Sequence, residues 1–490
     1  MKLADLLSRY PAIVTQASPT LALTGLTTDS RATRAGDAFI AISGTVAEGS
    51  LYVQDAVARG AVAVMYQQGM QLDVPPSVAR VEVQNTRIAA ARLAAQFYQP
   101  QPTRVIAVTG TDGKSSTVEF IRQLLESTGR AAASIGTIGI KTSVALPAYE
   151  AANTTPDPVI LHQRLQMLAQ AGIQDVALEA SSHGLHQYRL EGLQACVGVF
   201  TTFGQDHLDY HETLDAYFAA KARLFTQLLT TGSTAVLNAD HHRISALRSI
   251  CEGRGVRVID FGEHATHCQL LESQAVANGQ HVSMLLGGYA WQGLIPLFGR
   301  FQVMNVLAAS GALLAMGIEP ASITAAYASL YGVSGRLQLA AHHPHGMPIF
   351  VDYAHTAQGL ASALSALRPH TQGKLHVVFG CGGNRDAGKR AEMGLVATQL
   401  ADAVIVTDDN PRHENPAEIR AAILASAQGA IEVADRGEAI RHAVQSLQTG
   451  DVLLIAGKGH EAYQIMGDIK HPFNDVDESQ HAVAMMKKAG

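Results

Sequence analysis

Apolar positions along the chain fall into two alternating rhythms. Arg104–Thr109 (RVIAVT) is a continuous β-branched run of the kind a doubly buried strand needs. The next segment, Ser115–Thr128, spaces Val118, Ile121, Leu124 and Leu125 at helical intervals, and Gly129 is placed to end it. Further strand-type runs lie at Asp175–Ala180 and Cys196–Thr202. The last third repeats the alternation, with strands predicted at Pro348–Tyr353, His376–Gly380, Ala403–Thr407 and Val452–Ala456, and helices at Gln358–Leu367 and Ala417–Gln428. Upstream, Asp37–Ile42 and Ala61–Tyr66 read as strands, and Tyr52–Arg59 and Asn85–Tyr98 as helices. The first residues, Met1 to Val14, carry Leu3, Leu6, Leu7 and Tyr10 as an amphipathic helix.

This alternation predicts an α/β fold built from parallel sheets covered by helices. The proline-rich joint Tyr98-Gln-Pro-Gln-Pro102 cannot continue a helix and marks a first boundary. A second α/β unit begins near Gly335. The expected domains are 1–99, a smaller α/β domain; 100–334, a P-loop-like domain with a mostly parallel sheet; and 335–490, a Rossmann-like α/β domain. The chain's 490 residues suit about three domains.

Composition narrows the class. The balance of 36 basic against 42 acidic residues gives −6, so no basic excess marks a nucleic-acid or polybasic membrane binder. Asn305–Glu319, the longest nearly apolar stretch, is shorter than the roughly 18–20 residues a bilayer requires. The charged N-terminal pattern does not read as a signal peptide. The four cysteines, Cys196, Cys251, Cys268 and Cys381, show no CxxC spacing and argue against a disulfide scaffold or structural zinc. A cytoplasmic location is expected. His342, His343 and His345 read as a solvated loop before Pro348.

Ligands of open parallel sheets bind at the carboxyl ends of strands, so chemistry is expected in the loops that follow them. Thr109-Gly-Thr-Asp-Gly-Lys-Ser-Ser116 joins a strand to a helix. Its amides can cradle phosphate, Lys114 can neutralise it, and Ser115 or Ser116 can hold magnesium. Val108 stands where the first glycine of the standard P-loop belongs. Glu179, followed by Ala180-Ser-Ser-His-Gly184, either reaches a metal beside that loop or caps a helix. Asp206-His-Leu-Asp-Tyr-His211 offers His207 as a ligand or as packing. On the predicted helix Leu214–Leu229, Lys221 has Tyr217, Phe218, Leu224 and Phe225 for neighbours, so it is either a buried nucleophilic amine or a snorkelling side chain. Asp408-Asp-Asn-Pro-Arg-His-Glu414 offers a guanidinium, Gly380–Asp386 and Gly457–Glu461 pair small residues with charges, and each is also ordinary turn chemistry.

Taken in order, these motifs resemble the Mur ligase family, ATP-dependent amide-bond ligases of peptidoglycan precursor synthesis. Thr28-Asp-Ser-Arg31, Asn153-Thr-Thr155, Gly335-Arg336 and Asp352-Tyr-Ala-His-Thr356 complete the set. The resemblance implies ATP and Mg2+ as cofactors. It implies UDP-N-acetylmuramoyl-L-alanyl-D-glutamate as acceptor and, because Asp409-Asn-Pro-Arg412 resembles the version with a selecting arginine, meso-diaminopimelate as the added amino acid. By the same resemblance Lys114, Glu179, His207 and Lys221 would be catalytic. Gly110, Thr111, Asp112, Gly113, Lys114, Ser115, Ser116, Asn305, Arg336, Asp352 and His355 would contact ATP. Ser115, Glu179, His207 and a carbamylated Lys221 would bind metal. Thr28, Ser30, Thr45, Val46, Ala47, Asn153, Thr154, Thr155, Ser181, Gln187 and Arg189 would hold the UDP-linked substrate, and Arg385, Asp409, Asn410, Pro411, Arg412, Gly457 and Glu461 the amino acid. A monomer with no nucleic-acid partner and no membrane insertion is expected. Asp112 replaces the family's asparagine, Ser115 and Ser116 its threonines, Gln205 an arginine and Gln302 an asparagine, and Ala357-Gln358 stands for its Pro-Asp. Three competitors remain: a relative adding L-lysine or another amino acid, a P-loop kinase or NTPase, and a non-catalytic nucleotide binder. The last would be expected to have lost Lys114, Glu179 or Lys221.

Overall fold

The computed structural model describes residues 1–16, 18, 20–42, 48–146 and 153–489. Its contacts group into two units, Met1–Gln269 with Leu307–Ile323, and Leu270–Val306 with Thr324–Gly490.

The first unit holds two sheets. The N-terminal one has strand order Ile13–Gln16, Ala79–Val83, Ala63–Gln67, Asp37–Ile40, Gly25–Thr27. It is parallel except at the Ile13–Gln16 edge. The helix Thr86–Phe97 buries Ala89, Ala90 and Leu93 in a core with Leu6, Leu26, Ile40 and Met65. Only Leu3–Leu7 of the N-terminal segment is helical. Pro11 stops the pattern, and Ile13 and Val14 serve the edge strand instead.

The second sheet of this unit runs Gly139–Thr142, Ala132–Gly136, Asp175–Glu179, Arg104–Thr109, Ala195–Phe200, Thr234–Asn238, Arg257–Gly262. It is parallel beyond its first pair. Arg104–Thr109 is central, with Val108 level with Glu179 and Thr109 level with Phe200. Three adjacent carboxyl ends therefore present the phosphate-loop sequence, Glu179 and Thr201-Thr202 side by side. Helix Lys114–Ser127 follows the central strand, and Gly129, at φ +80°, ends it as expected. Lys221 lies in helix Leu214–Arg223, which gives way to a π-helical turn at Leu224–Leu228 where a continuous α-helix was predicted.

In the second unit a six-stranded sheet has the order Gln338–His342, Pro348–Asp352, Val452–Ala456, Leu375–Phe379, Ala403–Val406, Ile431–Glu432. All pairs but the first are parallel. Its carboxyl ends deliver the loops at 352–356, 457–461, 380–386 and 408–414 to one edge. Beneath them Arg436 and Asp475, both fully buried, form a two-pronged ion pair with oxygen–nitrogen distances of 2.7 and 2.8 Å. The same unit contains the antiparallel pair Gly279–Leu286 and Tyr289–Ile295, which periodicity did not predict. His343 corrects the solvated-loop expectation: it is buried, because the chain folds back and its amide donates to Met347 O at 2.8 Å. No helix among the described residues is long and apolar enough to cross a membrane.

Candidate active site

The phosphate-loop sequence forms a loop held from beneath. Thr111 N donates to Thr202 O at 2.8 Å, and Asp112 N to Thr202 Oγ1 at 3.0 Å. Thr201 Oγ1 donates back to Asp112 O at 2.6 Å. Gly110 sits at φ +150°, and a Cβ there would lie 1.9 Å from Thr201 Oγ1, so only glycine fits. Asp112, the departure from asparagine, is exposed. Its backbone is the part the loop uses. Ser115 and Ser116 are buried in the first turn of the helix.

Two lysines meet at this loop. Lys114 Nζ donates to Gly110 O at 2.9 Å and Thr111 O at 2.7 Å. Lys221 Nζ donates to the same Gly110 O at 2.7 Å and lies 4.4 Å from the centre of the Tyr217 ring. Lys221 is 1% exposed, which decides between the two sequence readings: the amine is buried and does not snorkel. Burial, reinforced by the Lys114 charge, pushes its pKa down to about 6, against the opposing pull of Asp206 and Asp112. Near neutral pH the amine is largely uncharged and nucleophilic, the state that adds CO2 to form a carbamate.

Glu179 is buried, and its carboxylate accepts from Thr137 N at 2.9 Å and Thr137 Oγ1 at 3.3 Å. His207 pairs with Asp206 at 3.3 Å and packs edge-on against His183. Among the described residues no group of three His, Cys, Asp or Glu side chains forms a complete metal cage. Ser115 and Glu179 are buried oxygen donors of the kind a hard cation such as magnesium takes.

Beside these groups lies a cavity of about 260 Å3, lined by Thr28, Ile42, Arg87, Asp157, Gln187 and Arg189. Three of the residues expected to hold the UDP-linked substrate, Thr28, Gln187 and Arg189, thus come together. Arg189 Nη1 donates to Thr155 O at 2.6 Å, and Nη2 to Gln187 Oε1 at 2.8 Å. Thr155 Oγ1 donates to Glu179 O at 2.8 Å and bonds Ser181 Oγ at 3.0 Å. Thr154 bonds Thr137 at 3.0 Å, Asn153 is exposed and Ser30 is buried. Thr45, Val46 and Ala47 lie outside the described residues. Sequence reasoning missed Arg87 and Asp157. Asp157 was visible only as a helix cap before Pro158, and it also accepts from Thr28 Oγ1 at 3.0 Å.

The second unit gathers the remaining candidates. Gly383 N donates to Asn410 O at 2.9 Å, tying loop 380–386 to loop 408–414. A Cβ at Gly383 would lie 2.0 Å from Pro411 O, so the two backbones touch directly. Arg412, at φ +52°, donates through Nη1 to Gly383 O at 2.8 Å. Asn410 Nδ2 donates to Glu461 Oε2 at 2.9 Å, and the fully buried Lys458, absent from the sequence-based set, donates to Asn410 Oδ1 at 3.0 Å and Glu461 Oε2 at 3.1 Å. Burial raises the Asp409 pKa, opposed by Arg436 and Lys458. Gly457 is buried beside Asp409, and Arg385 is exposed. Asp352 spends both carboxylate oxygens on the amides of Leu337 and Ala354, each at 2.7 Å. The Arg336 guanidinium lies 5.0 Å from the Tyr353 ring centre, His355 bonds Tyr353 O at 2.9 Å, and Asn305 is buried against Gln302.

A glycine-bearing loop between a parallel strand and a helix, with a lysine on its first turn and a second, buried lysine on its carbonyl, defines a phosphate-binding α/β protein. Family models match three segments that together cover most of the chain. The Mur ligase middle domain matches residues 108–313, the Mur ligase glutamate ligase domain 335–459, and the Mur ligase family catalytic domain 22–98. UDP-N-acetylmuramoyl-L-alanyl-D-glutamate–2,6-diaminopimelate ligase of Bradyrhizobium diazoefficiens is 44% identical over 99% of both chains. Its namesake from Agrobacterium fabrum is 44% identical over 94% of both. A solved structure of an enzyme of that name superposes with a TM-score of 0.73 at 31% identity, covering 99% of each chain. MurF from Acinetobacter baumannii shares the fold, with a TM-score of 0.63 at 18% identity. The chain belongs to the Mur ligase family.

Proposed function

We propose that this protein is an ATP-dependent, ADP-forming amide ligase that joins meso-diaminopimelate to the D-glutamate γ-carboxylate of UDP-N-acetylmuramoyl-L-alanyl-D-glutamate, in cytoplasmic peptidoglycan precursor synthesis. Its likeness along nearly the whole chain to ligases of that name supports the reading. The observation that carries it in the molecule is the buried Lys221 amine on the carbonyl of the phosphate loop. On this reading residues 1–99 serve the UDP end of the acceptor, 100–334 the ATP, and 335–490 the amino acid.

A carboxylate in water is a poor electrophile, so it is first activated. The acceptor's γ-carboxylate oxygen attacks the γ-phosphorus of ATP, the bond to ADP breaks, and an acyl phosphate forms. The diaminopimelate nitrogen then attacks the acyl carbon, loses a proton, and phosphate leaves. Lys114 trades its two carbonyl partners for phosphate oxygens and offsets charge that builds up in transfer. Arg189, held by Thr155 and Gln187, steadies the acceptor's peptide end. Magnesium would be held by Ser115, Glu179, His207 and the Lys221 carbamate, and would neutralise phosphate charge. Arg412 presents a guanidinium fork to the distal carboxylate of diaminopimelate, with Arg385, Asp409, Asn410 and Glu461 around the rest. In the second unit Asn305, Arg336, Asp352 and His355 are assigned to the nucleotide on the family resemblance.

The test is phosphate release with ATP, the UDP-linked dipeptide and a panel of diamino acids. Turnover that requires all three substrates and prefers meso-diaminopimelate over L-lysine is expected. ATP turnover without the acceptor would point to a kinase or simple NTPase and overturn the reading.

A further inference from the structure

We infer that the hairpin of strands Tyr463–Met466 and Ile469–Pro472 aims Arg412 at the added amino acid, with Gln464 as the positioning residue. The inference rests on the assignment of loop 408–414 to that substrate. Arg412 stands at φ +52°, a backbone region that residues with a side chain disfavour. Without support the loop would relax out of it and carry the guanidinium elsewhere. The hairpin holds the residue from both ends of its backbone: Arg412 N donates to Ile465 O at 3.1 Å, and Gly467 N donates to Arg412 O at 2.8 Å.

The residues ahead of Arg412 are tied to the same strand. Gln464 Nε2 donates to Asp409 O at 2.6 Å, and Ile465 N to Asn410 Oδ1 at 2.9 Å. Residues 464–467 therefore run alongside 409–412, with Met466 bridged in parallel to Arg412. Gln464 is the one buried residue of strand Tyr463–Met466, although Ile465 and Met466 are the more apolar. Its buried amide is spent on the Asp409 carbonyl, which fixes where the run to Arg412 begins. The outer strand, Ile469–Pro472, is exposed along its whole length, so polar bonds to the loop and not a core of its own define its place. A guanidinium fork meets a carboxylate through two parallel bonds, and such a contact is sensitive to the angle at which the fork is held.

The experiment measures the KM of meso-diaminopimelate and of ATP for wild type, Gln464→Met and Gly467→Val, each alone and combined with Arg412→Ala, with thermal melts to confirm folding. Gln464→Met keeps the side chain's bulk and removes its donor. Gly467→Val acts on the second tie: Gly467 sits at φ +58°, where a Cβ would meet nothing within 4 Å, so valine strains the turn without a clash. Each single variant should raise the diaminopimelate KM about three- to tenfold, the size of one net hydrogen bond, and leave kcat and the ATP KM unchanged. Beside Arg412→Ala neither should add a further rise, because no guanidinium remains to be aimed. A rise by the same factor with and without Arg412, an equal rise in the ATP KM, or no rise at all overturns the hairpin's role and leaves the amino-acid reading standing. Failure of the wild type to use meso-diaminopimelate overturns that reading itself.

Discussion

Lys114 and Lys221 donate to one acceptor, the Gly110 carbonyl, at 2.9 and 2.7 Å. One backbone oxygen thus brings together a cation suited to phosphate and an amine kept largely neutral by burial. In CO2-depleted buffer wild-type activity should fall, and bicarbonate should restore it. Lys221→Ala should be inactive and partly rescued by a short carboxylic acid. Full wild-type activity without CO2 would sink the carbamate assignment.

The same amine makes stability depend on pH. Unfolded, Lys221 holds its proton up to an ordinary pKa of 10.5, whereas in the fold it loses it at about 6. Between those values the unfolded chain binds more protons, so stability rises with pH across that window. Lys221→Met removes this burden. Without CO2 it should melt above wild type at pH 7, by roughly 2–4 °C per kcal/mol gained, with the gap closing towards pH 10. Melting curves at both pH values check the sign.

Gly110→Ala places a methyl group where Thr201 Oγ1 already sits. The loop must shift, and ATP affinity should drop at least about tenfold for a displacement costing 1.4 kcal/mol or more. Acceptor binding should change little. Equilibrium titration of both ligands separates the two effects, and parallel losses would show general unfolding instead.

Arg412→Ala should cost about 2–5 kcal/mol in diaminopimelate recognition, as expected for a desolvated charge pair losing one partner. Steady-state kinetics should show a raised diaminopimelate KM beside a near-normal ATP KM. Arg412→Lys should recover little, because the forked geometry is lost. Equal effects on both substrates would remove Arg412 from the amino-acid site.

Asp475→Ala leaves the fully buried Arg436 without its carboxylate. A loss of about 3–5 kcal/mol of stability is expected. Denaturant titration should show it as a lower midpoint. The double variant Arg436→Met with Asp475→Ala should regain part of the loss, since no uncompensated charge remains.

The central strand and the phosphate-loop helix were legible to within a residue, because burial on both faces leaves an unbroken apolar run: Arg104–Thr109 was predicted and observed. Cys268–Val276 and the hairpin after it were not, because half-exposed strands mix polar and apolar residues. Asn278-Gly279 and Gly287-Gly288 were the signals that could have found the turns. At the site, residues with local motif context were found. Arg87 was not, because its place on the cavity depends on segments more than 60 residues away in sequence, at Asp157 and Arg189.

The backbone contact between Gly383 and Pro411 bears on how this site can diversify. Where main chain touches main chain, no side chain is available to be exchanged, so drift at those positions is closed off. Variation in which amino acid is accepted must then enter through the few groups that project from the clasp, Arg412 foremost. A shift of preference is expected to take a small number of large steps at such positions, with the two glycine-bound loops inherited unchanged beneath them.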